Sequence, residues 1–329
     1  MRKILSTRPL LLLFTLILSL SLVAGCQNVA KKPGTPVPTP QQKAQVPLAP
    51  EVAKYKAEPT ITLYRSATGK KETLKLEEYL KGVIAAEIGP KFPMEALKAQ
   101  AIVARTMTLA LINYEHGAGK RGTDASDDHT EFQAYDNKQI TPEIAKAVEE
   151  TRGQILTYNG KFVYAEFHSV SPSMTASIEE AFPKLKEKAS YLVPVKTNGL
   201  KNAPEKYRAW TVKVPKSTIK NIMGPKAGNL SDIKVGKKGP SGRALTVTAG
   251  SASIAGVDLR QKVGFDKLYS TYFTSIGVEG NNVVFKGSGW GHGSGMEQWG
   301  AYTMAQEGKS AKAIVEHYYP NTMWTQLYK

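Results

Sequence analysis

Leu76, Tyr79, Leu80, Val83, Ile84 and Glu87 recur at i, i+3, i+4, i+7, i+8 and i+11, the spacing of one stripe along an α-helix. Five of the six are apolar and face a core; the sixth is a carboxylate. Burial on such a stripe disfavours the charged form and raises the pKa of a carboxyl group. Protonating a glycosidic oxygen near neutral pH requires such an acid. A glutamate at a helix end can also turn out to solvent or pair with a cation, and spacing alone leaves both readings open.

The next stretch, Glu95-Ala-Leu-Lys-Ala-Gln-Ala-Ile-Val-Ala-Arg-Thr106, is apolar almost all round, as interior helices are. Lys98, Gln100 and Arg105 are therefore embedded polar groups that need partners. Arg105 can pair with Glu87, grip a substrate carboxylate in a bidentate way, or form a purely structural ion pair.

Residues 287–301 hold six glycines in fifteen positions, with His292, Gln298, Trp290 and Trp299 among them. The segment lacks the Gly-Lys-Ser/Thr ending of a phosphate-binding loop. It is no nucleophile elbow either, because His292 stands two before Ser294 where glycine is needed. Glycines allow a backbone to approach a ligand and indoles stack on sugar faces; the alternative is a tight structural turn. The five histidines show no metal-binding spacing, and Asp124, Asp127 and Asp128 lack that of a calcium loop, so neither metal nor cofactor is expected.

The elements that must position these residues are helices over 76–88 and 94–113, the second with Pro93 in its first turn. A strand near 60–64 precedes them, with Ile61 and Leu63 on one face. A polar loop over 115–128 leads to a short helix over 141–151 and strands over 154–158 and 162–168. Residues 181–240 are rich in Lys, Pro and Gly, with one alternating piece at 210–214. Further strands are expected at 244–248 and 283–286, and helices at 301–307 and 311–318. Helices and strands mix without a regular βα period, so the expected class is α+β: a single two-lobed domain with a substrate cleft.

The chain has 329 residues, 44 Lys and Arg against 28 Asp and Glu, a formal charge of +16 and one cysteine. One cysteine excludes a disulfide framework and any multi-thiolate metal site. Arg2, Lys3 and Arg8 precede an apolar run over 10–24 that ends Val-Ala-Gly-Cys26, the pattern of a lipoprotein signal peptide. Residues 1–25 are expected to be removed and Cys26 to carry lipid, placing the protein on the extracytoplasmic face of the cell membrane. Residues 26–59 contain seven prolines and are expected to form an extended tether. A basic protein outside the cytoplasm meets anionic lipid and wall polymer; no nucleic-acid-binding motif accompanies the charge.

Four segments together carry a resemblance: Tyr79-Leu-Lys-Gly-Val-Ile-Ala-Ala-Glu87; the 95–106 stretch; Gln133-Ala-Tyr135 followed by Ala147-Val-Glu-Glu-Thr-Arg-Gly-Gln-Ile-Leu; and Gly289-Trp-Gly-His-Gly-Ser-Gly-Met-Glu-Gln-Trp-Gly-Ala301. Over 60–329 the chain resembles the stage II sporulation protein D family, which includes the LytB amidase enhancers. The resemblance implies a peptidoglycan lytic transglycosylase acting in sporulation and engulfment. Such an enzyme cleaves the MurNAc–GlcNAc bond to a 1,6-anhydro end, on strands already stripped of stem peptides by a partner amidase. The family's catalytic glutamate falls on Glu87. Lys98, Arg105, Tyr135, His168, Ser169, Thr175, His292 and Gln298 are implied as substrate-binding. The loop before Gln133 has no cysteine, so the zinc ion of some members is not expected. Val170-Ser-Pro-Ser-Met-Thr175 replaces the usual glycine pair after His168-Ser169. The rival reading is a non-catalytic wall-binding lipoprotein that enhances an amidase.

Overall fold

Val52 enters the core with no exposed surface, and it belongs to a stretch whose composition predicts a free tether. The computed structural model describes residues 46–329; the apolar leader, Cys26 and the first part of the Pro-rich stretch lie outside the described residues. Within them, residues 46–59 wrap the domain rather than standing clear of it. Pro50–Ala53 forms a short helix (α1), Ala49 donates its N–H to the Gly160 carbonyl at 2.9 Å, and Tyr55 packs edge-on to Phe162. Few apolar residues suffice because one of them is fully buried and Glu58 makes specific polar contacts.

Strand β1 (Thr60–Tyr64) pairs antiparallel with β2 (Lys71–Lys75) and parallel with β3 (Ala125–Ser126). Ile61 and Leu63 point inward, as their alternation predicts. Helix α2 (Leu76–Glu87) follows at once, and its apolar stripe is buried along its length. Its N-cap, Lys75, offers no side-chain acceptor. Glu58 supplies one from the wrapped arm, accepting the Glu77 N–H at 2.9 Å and a hydrogen bond from Arg152 at 2.6 Å. Val52 and this cap together stabilise the domain by about 2–4 kcal/mol. A protein beginning at Thr60 should therefore unfold at clearly lower urea than one beginning at Val46; equal midpoints would show that the arm contributes nothing.

Helix α3 (Met94–Tyr114) runs between two cores. Leu97, Ala101 and Ala104 face the α2 stripe, whereas Ala96, Ile102 and Val103 face Tyr164, Ile314, Val315 and Tyr318. Helix α4 (Pro142–Glu150), capped by Thr141, leads into β4 (Gln154–Tyr158), which lies between β5 (Lys161–Phe162) and the C-terminal strand Met323–Gln326. The single strand expected over 162–168 is two short pieces, β5 and β6 (Phe167–His168), and β6 pairs parallel with Met296–Glu297.

A third core, with Trp210, Ile219, Val247, Leu259 and Phe285, is built from later residues. Strands Trp210–Pro215 and Asn282–Gly287 lie where expected; Phe273–Glu279 and the helices Lys216–Met223 and Gly256–Val263 complete this part. The class is α+β, and Val46–Lys329 holds together as one unit. Among the described residues no helix is long and apolar enough to cross a membrane.

Candidate active site

Glu87 is the last residue of α2, half-buried where the apolar stripe ends. Its Oε1 accepts the Ala134 N–H at 3.0 Å. Burial raises its pKa above the ordinary carboxylate value; the Ala134 hydrogen bond, the nearby His129 and the Gln298 carboxamide each pull it partly back. The side chain is thus held at the end of the stripe by the Ala134 amide rather than turned wholly out to solvent.

Chain segments distant in sequence converge here. The segment 133–136 lies along α2, with Asp136 donating its N–H to the Gly82 carbonyl at 3.0 Å. Tyr135 packs so closely on Gly82 that a Cβ there would stand 2.3 Å from its ring. That ring stacks on Tyr79 at 5.7 Å and carries the Arg65 guanidinium at 4.9 Å, so it is covered rather than free for stacking. Gln298 opens the helix Gln298–Gln306 and faces Glu87. Next to it Trp299 packs on Phe92, from the link between α2 and α3, at 5.1 Å, and both touch Tyr302. All three aromatics are half-buried. Phe92, Tyr302, His129 and the Ala134 amide escaped sequence reasoning; of these, only the amide had a sequence signal, the adjoining Gln-Ala-Tyr motif.

Arg105 lies elsewhere, away from Glu87 and with no exposed surface. It grips Glu77, Nε to Oε1 at 3.0 Å and Nη2 to Oε2 at 2.5 Å, with further bonds to the Gln154 and Val148 carbonyls. Tyr328 Oη and the Gly153 N–H complete the shell around Glu77. This is the structural ion pair among the readings open at sequence level. Lys98 is likewise matched by Glu95 at 3.0 Å and Glu150 at 2.6 Å, which ties α3 to α4.

His168 and Thr175 are buried under the glycine-rich loop, and His292, within that loop, is half-buried. The Ser294 carbonyl can only accept, so His168 Nδ1 carries the proton (3.1 Å) and Ser171 donates its hydroxyl to Nε2 at 2.6 Å. His292 accepts the Ser294 N–H at Nδ1 and donates from Nε2 to the Phe167 carbonyl at 2.7 Å. Burial lowers both pKa values, that of His292 to about 3, so both rings stay neutral. Thr175 exchanges hydrogen bonds with Val195 through its N–H and Oγ1. Ser169 is half-buried, and its carbonyl accepts the Trp299 N–H at 3.1 Å.

The loop glycines serve this packing. Gly289, Gly291, Gly293 and Gly295 all adopt positive φ, and a Cβ on Gly295 would stand 1.8 Å from the Glu166 carbonyl oxygen. The close approach is to the protein's own backbone, which favours the structural-turn reading of this segment. Sequence reasoning also missed Glu297, directly before Gln298. Fully buried, its carboxylate accepts from the Ser171 N–H at 2.8 Å, the Gly199 N–H at 3.3 Å and the Thr197 hydroxyl. Burial pushes its pKa up to about 7, and Glu297 anchors the turn that presents Gln298 to Glu87.

Glu166 is also pushed up to about 7, by burial alone, from an ordinary 4.5. The folded state thus holds this proton more tightly than the unfolded chain. The resulting stability is present below about pH 4.5 and lost as pH rises through about 7. Glu166→Gln should accordingly gain up to about 3 kcal/mol over the parent above pH 7 and little below pH 4.5. Urea midpoints at pH 4 and pH 8 measure this; a gain independent of pH would refute it.

Among the described residues no group of three or more His, Cys, Asp or Glu is placed to hold a metal ion. A family model described as stage II sporulation protein matches residues 64–158, and a domain of unknown function matches 172–295. Stage II sporulation protein D of Bacillus amyloliquefaciens is 33% identical over 283 residues, 80% of each chain. That of Bacillus subtilis is 32% identical over 81% of this chain and 79% of its own. The amidase enhancer of Bacillus subtilis is 26% identical over 75% of this chain and 40% of its own length. With a third of its residues shared over four-fifths of two relatives, and with the motifs around Glu87 in place, the chain belongs to the stage II sporulation protein D family.

Proposed function

We propose that the protein is a peptidoglycan lytic transglycosylase with Glu87 as both acid and base. The observation that carries this reading is a half-buried carboxyl of raised proton affinity at a helix end, faced by an amide, an imidazole and a carboxamide. A glycoside hydrolase ordinarily uses two carboxyl groups, one as acid and one as nucleophile or base. A transglycosylase can use one carboxyl twice. Protonated Glu87 gives its proton to the glycosidic oxygen as the C1–O bond breaks. The carboxylate then takes the proton of the muramyl C6 hydroxyl as that oxygen closes on C1, leaving a 1,6-anhydro end and a protonated Glu87. The Ala134 N–H stabilises the carboxylate between the two steps. The first step needs the protonated acid, so the rate falls as pH rises past the raised pKa of Glu87.

The substrate in this reading is an anionic glycan strand, denuded of stem peptides by an amidase. Residues 201–286 carry fifteen Lys and Arg against five Asp and Glu, a charge balance suited to such a polymer. Lipid on Cys26 holds the domain at the outer face of the membrane. A second reading, a wall-binding protein that enhances an amidase, is favoured by the likeness to the amidase enhancer. Mass spectrometry of denuded and peptide-bearing strands after incubation decides between them. Anhydro-muramyl ends support the transglycosylase, intact strands with retained binding support the enhancer, and reducing ends would mean a hydrolase.

A further inference from the structure

Gln133 has almost no exposed surface and donates from Nε2 to Thr108 Oγ1 at 2.7 Å. Thr108, completely buried on α3, donates its own hydroxyl to the Ala104 carbonyl at 2.8 Å. The polarity of this relay is therefore set: the helix carbonyl fixes the hydroxyl, and the hydroxyl fixes the carboxamide. Ala134 follows directly, and its N–H, part of the peptide plane that begins at Gln133, is the backbone donor on Glu87 at 3.0 Å. On its other side the segment is held by Tyr135 against Gly82 and by the Asp136 bond to the Gly82 carbonyl.

We propose that Gln133, through its hydrogen bond to Thr108, is a positioning residue that holds the Ala134 N–H in register with the Glu87 carboxylate. A residue present only to fill this space would do so better without a carboxamide. Gln133 Oε1 is buried with no partner, and such a group disfavours the folded state. A methionine would fill the volume and strand no oxygen. What the carboxamide provides in return is direction. It couples the 133–134 peptide plane to α3, so the helix that packs on α2 also aims the donor at the end of α2. The proposal rests on the reading of Glu87 as the acid and base, and it specifies what keeps that group poised.

The test uses the full chain with 13C-labelled glutamate, following the Glu87 carboxyl by NMR across pH beside strand cleavage. Gln133→Met and Thr108→Val each remove the bond from one end. Each should move the Glu87 midpoint upward by about one pH unit, because a donor to the charged form is loosened. The double variant should move it no further than either single one, since all break the same link. Thr108→Ser, which keeps the hydroxyl, should restore the parent midpoint. A residue that merely packs would lower the melting temperature and leave the midpoint in place. An unmoved midpoint, or shifts that add in the double variant, overturns the proposal. If Gln133→Met fails to fold, Thr108→Val with its serine counterpart decides alone. The titration needs no turnover, so intact strands with the parent would sink the transglycosylase reading without touching this one. Cleavage by the parent with unmoved midpoints would do the reverse.

Discussion

Glu87→Gln should cut the release of 1,6-anhydro ends from denuded strands by about 10²–10⁴-fold, the range associated with loss of a general acid–base group. The carboxamide keeps the shape of the side chain, and its oxygen can still accept the Ala134 N–H, so the fold and the 133–136 segment should persist. What disappears is the proton and the carboxylate that retakes it. Stability supplies a second signature with its own sign. Folding raises the pKa of Glu87, so the acid contributes stability at low pH that is lost as pH rises through the folded value. Glutamine does not titrate, and the variant should gain on the parent as the solution turns alkaline. Chromatography with mass spectrometry reads the ends, and calorimetry at pH 5 and pH 8 reads the sign. An inactive variant that also unfolds would point to a structural role for Glu87. An active one would move the chemistry to another residue.

Arg105→Met should be the most destabilising of the substitutions considered, at about 3–5 kcal/mol, because it leaves Glu77 buried without its cation. For a domain of this size that corresponds to a melting temperature lower by roughly 10 °C. The carboxylate would keep only the Tyr328 hydroxyl and the Gly153 N–H, two neutral donors in place of a bidentate guanidinium. Adding Glu77→Gln should recover part of the loss, since the stranded charge is then removed. A substrate-gripping arginine behaves differently: its loss raises KM and barely moves the melting temperature. Thermal melts of the single and double variants beside KM separate the two roles, and a purely kinetic effect of Arg105→Met would restore the substrate-binding assignment.

The place of Glu87 at the end of a buried stripe was legible because its signal is local, one period on one helix, whereas the role proposed for it came only with the family resemblance. Arg105 was legible as a buried cation in need of a partner, but the choice between Glu77 and Glu87 was not. Both glutamates lie on α2, and which of them meets Arg105 depends on the packing register of α2 and α3, which no short-range pattern encodes. His168, Thr175 and His292 illustrate a different limit. They came from motif matching, and a motif records residue identity without saying whether the residue serves chemistry or packing. In the glycine-rich loop the close approaches are between loop and core. Residues 181–240 hid the helix Lys216–Met223, whose lysines masked its amphipathic pattern. The strand Phe273–Glu279 was missed because a register shift between Phe273 and Ser275 breaks its alternation. The tether boundary failed for a simpler reason. Composition averages over residues, and one fully buried valine with one well-placed carboxylate outweighs the average.

That arm changes how far the protein can work from the surface that holds it. With Cys26 lipid-anchored as proposed, the chain left to span outward runs only to residue 45, which can reach at most about 65 Å, where a tether free to Pro59 would have reached about 115 Å. On the proposed function, the shorter leash would keep cutting close to the membrane. The leash meets the domain where Ala49 and Val52 dock, and these contacts stand between it and Glu58, which caps α2.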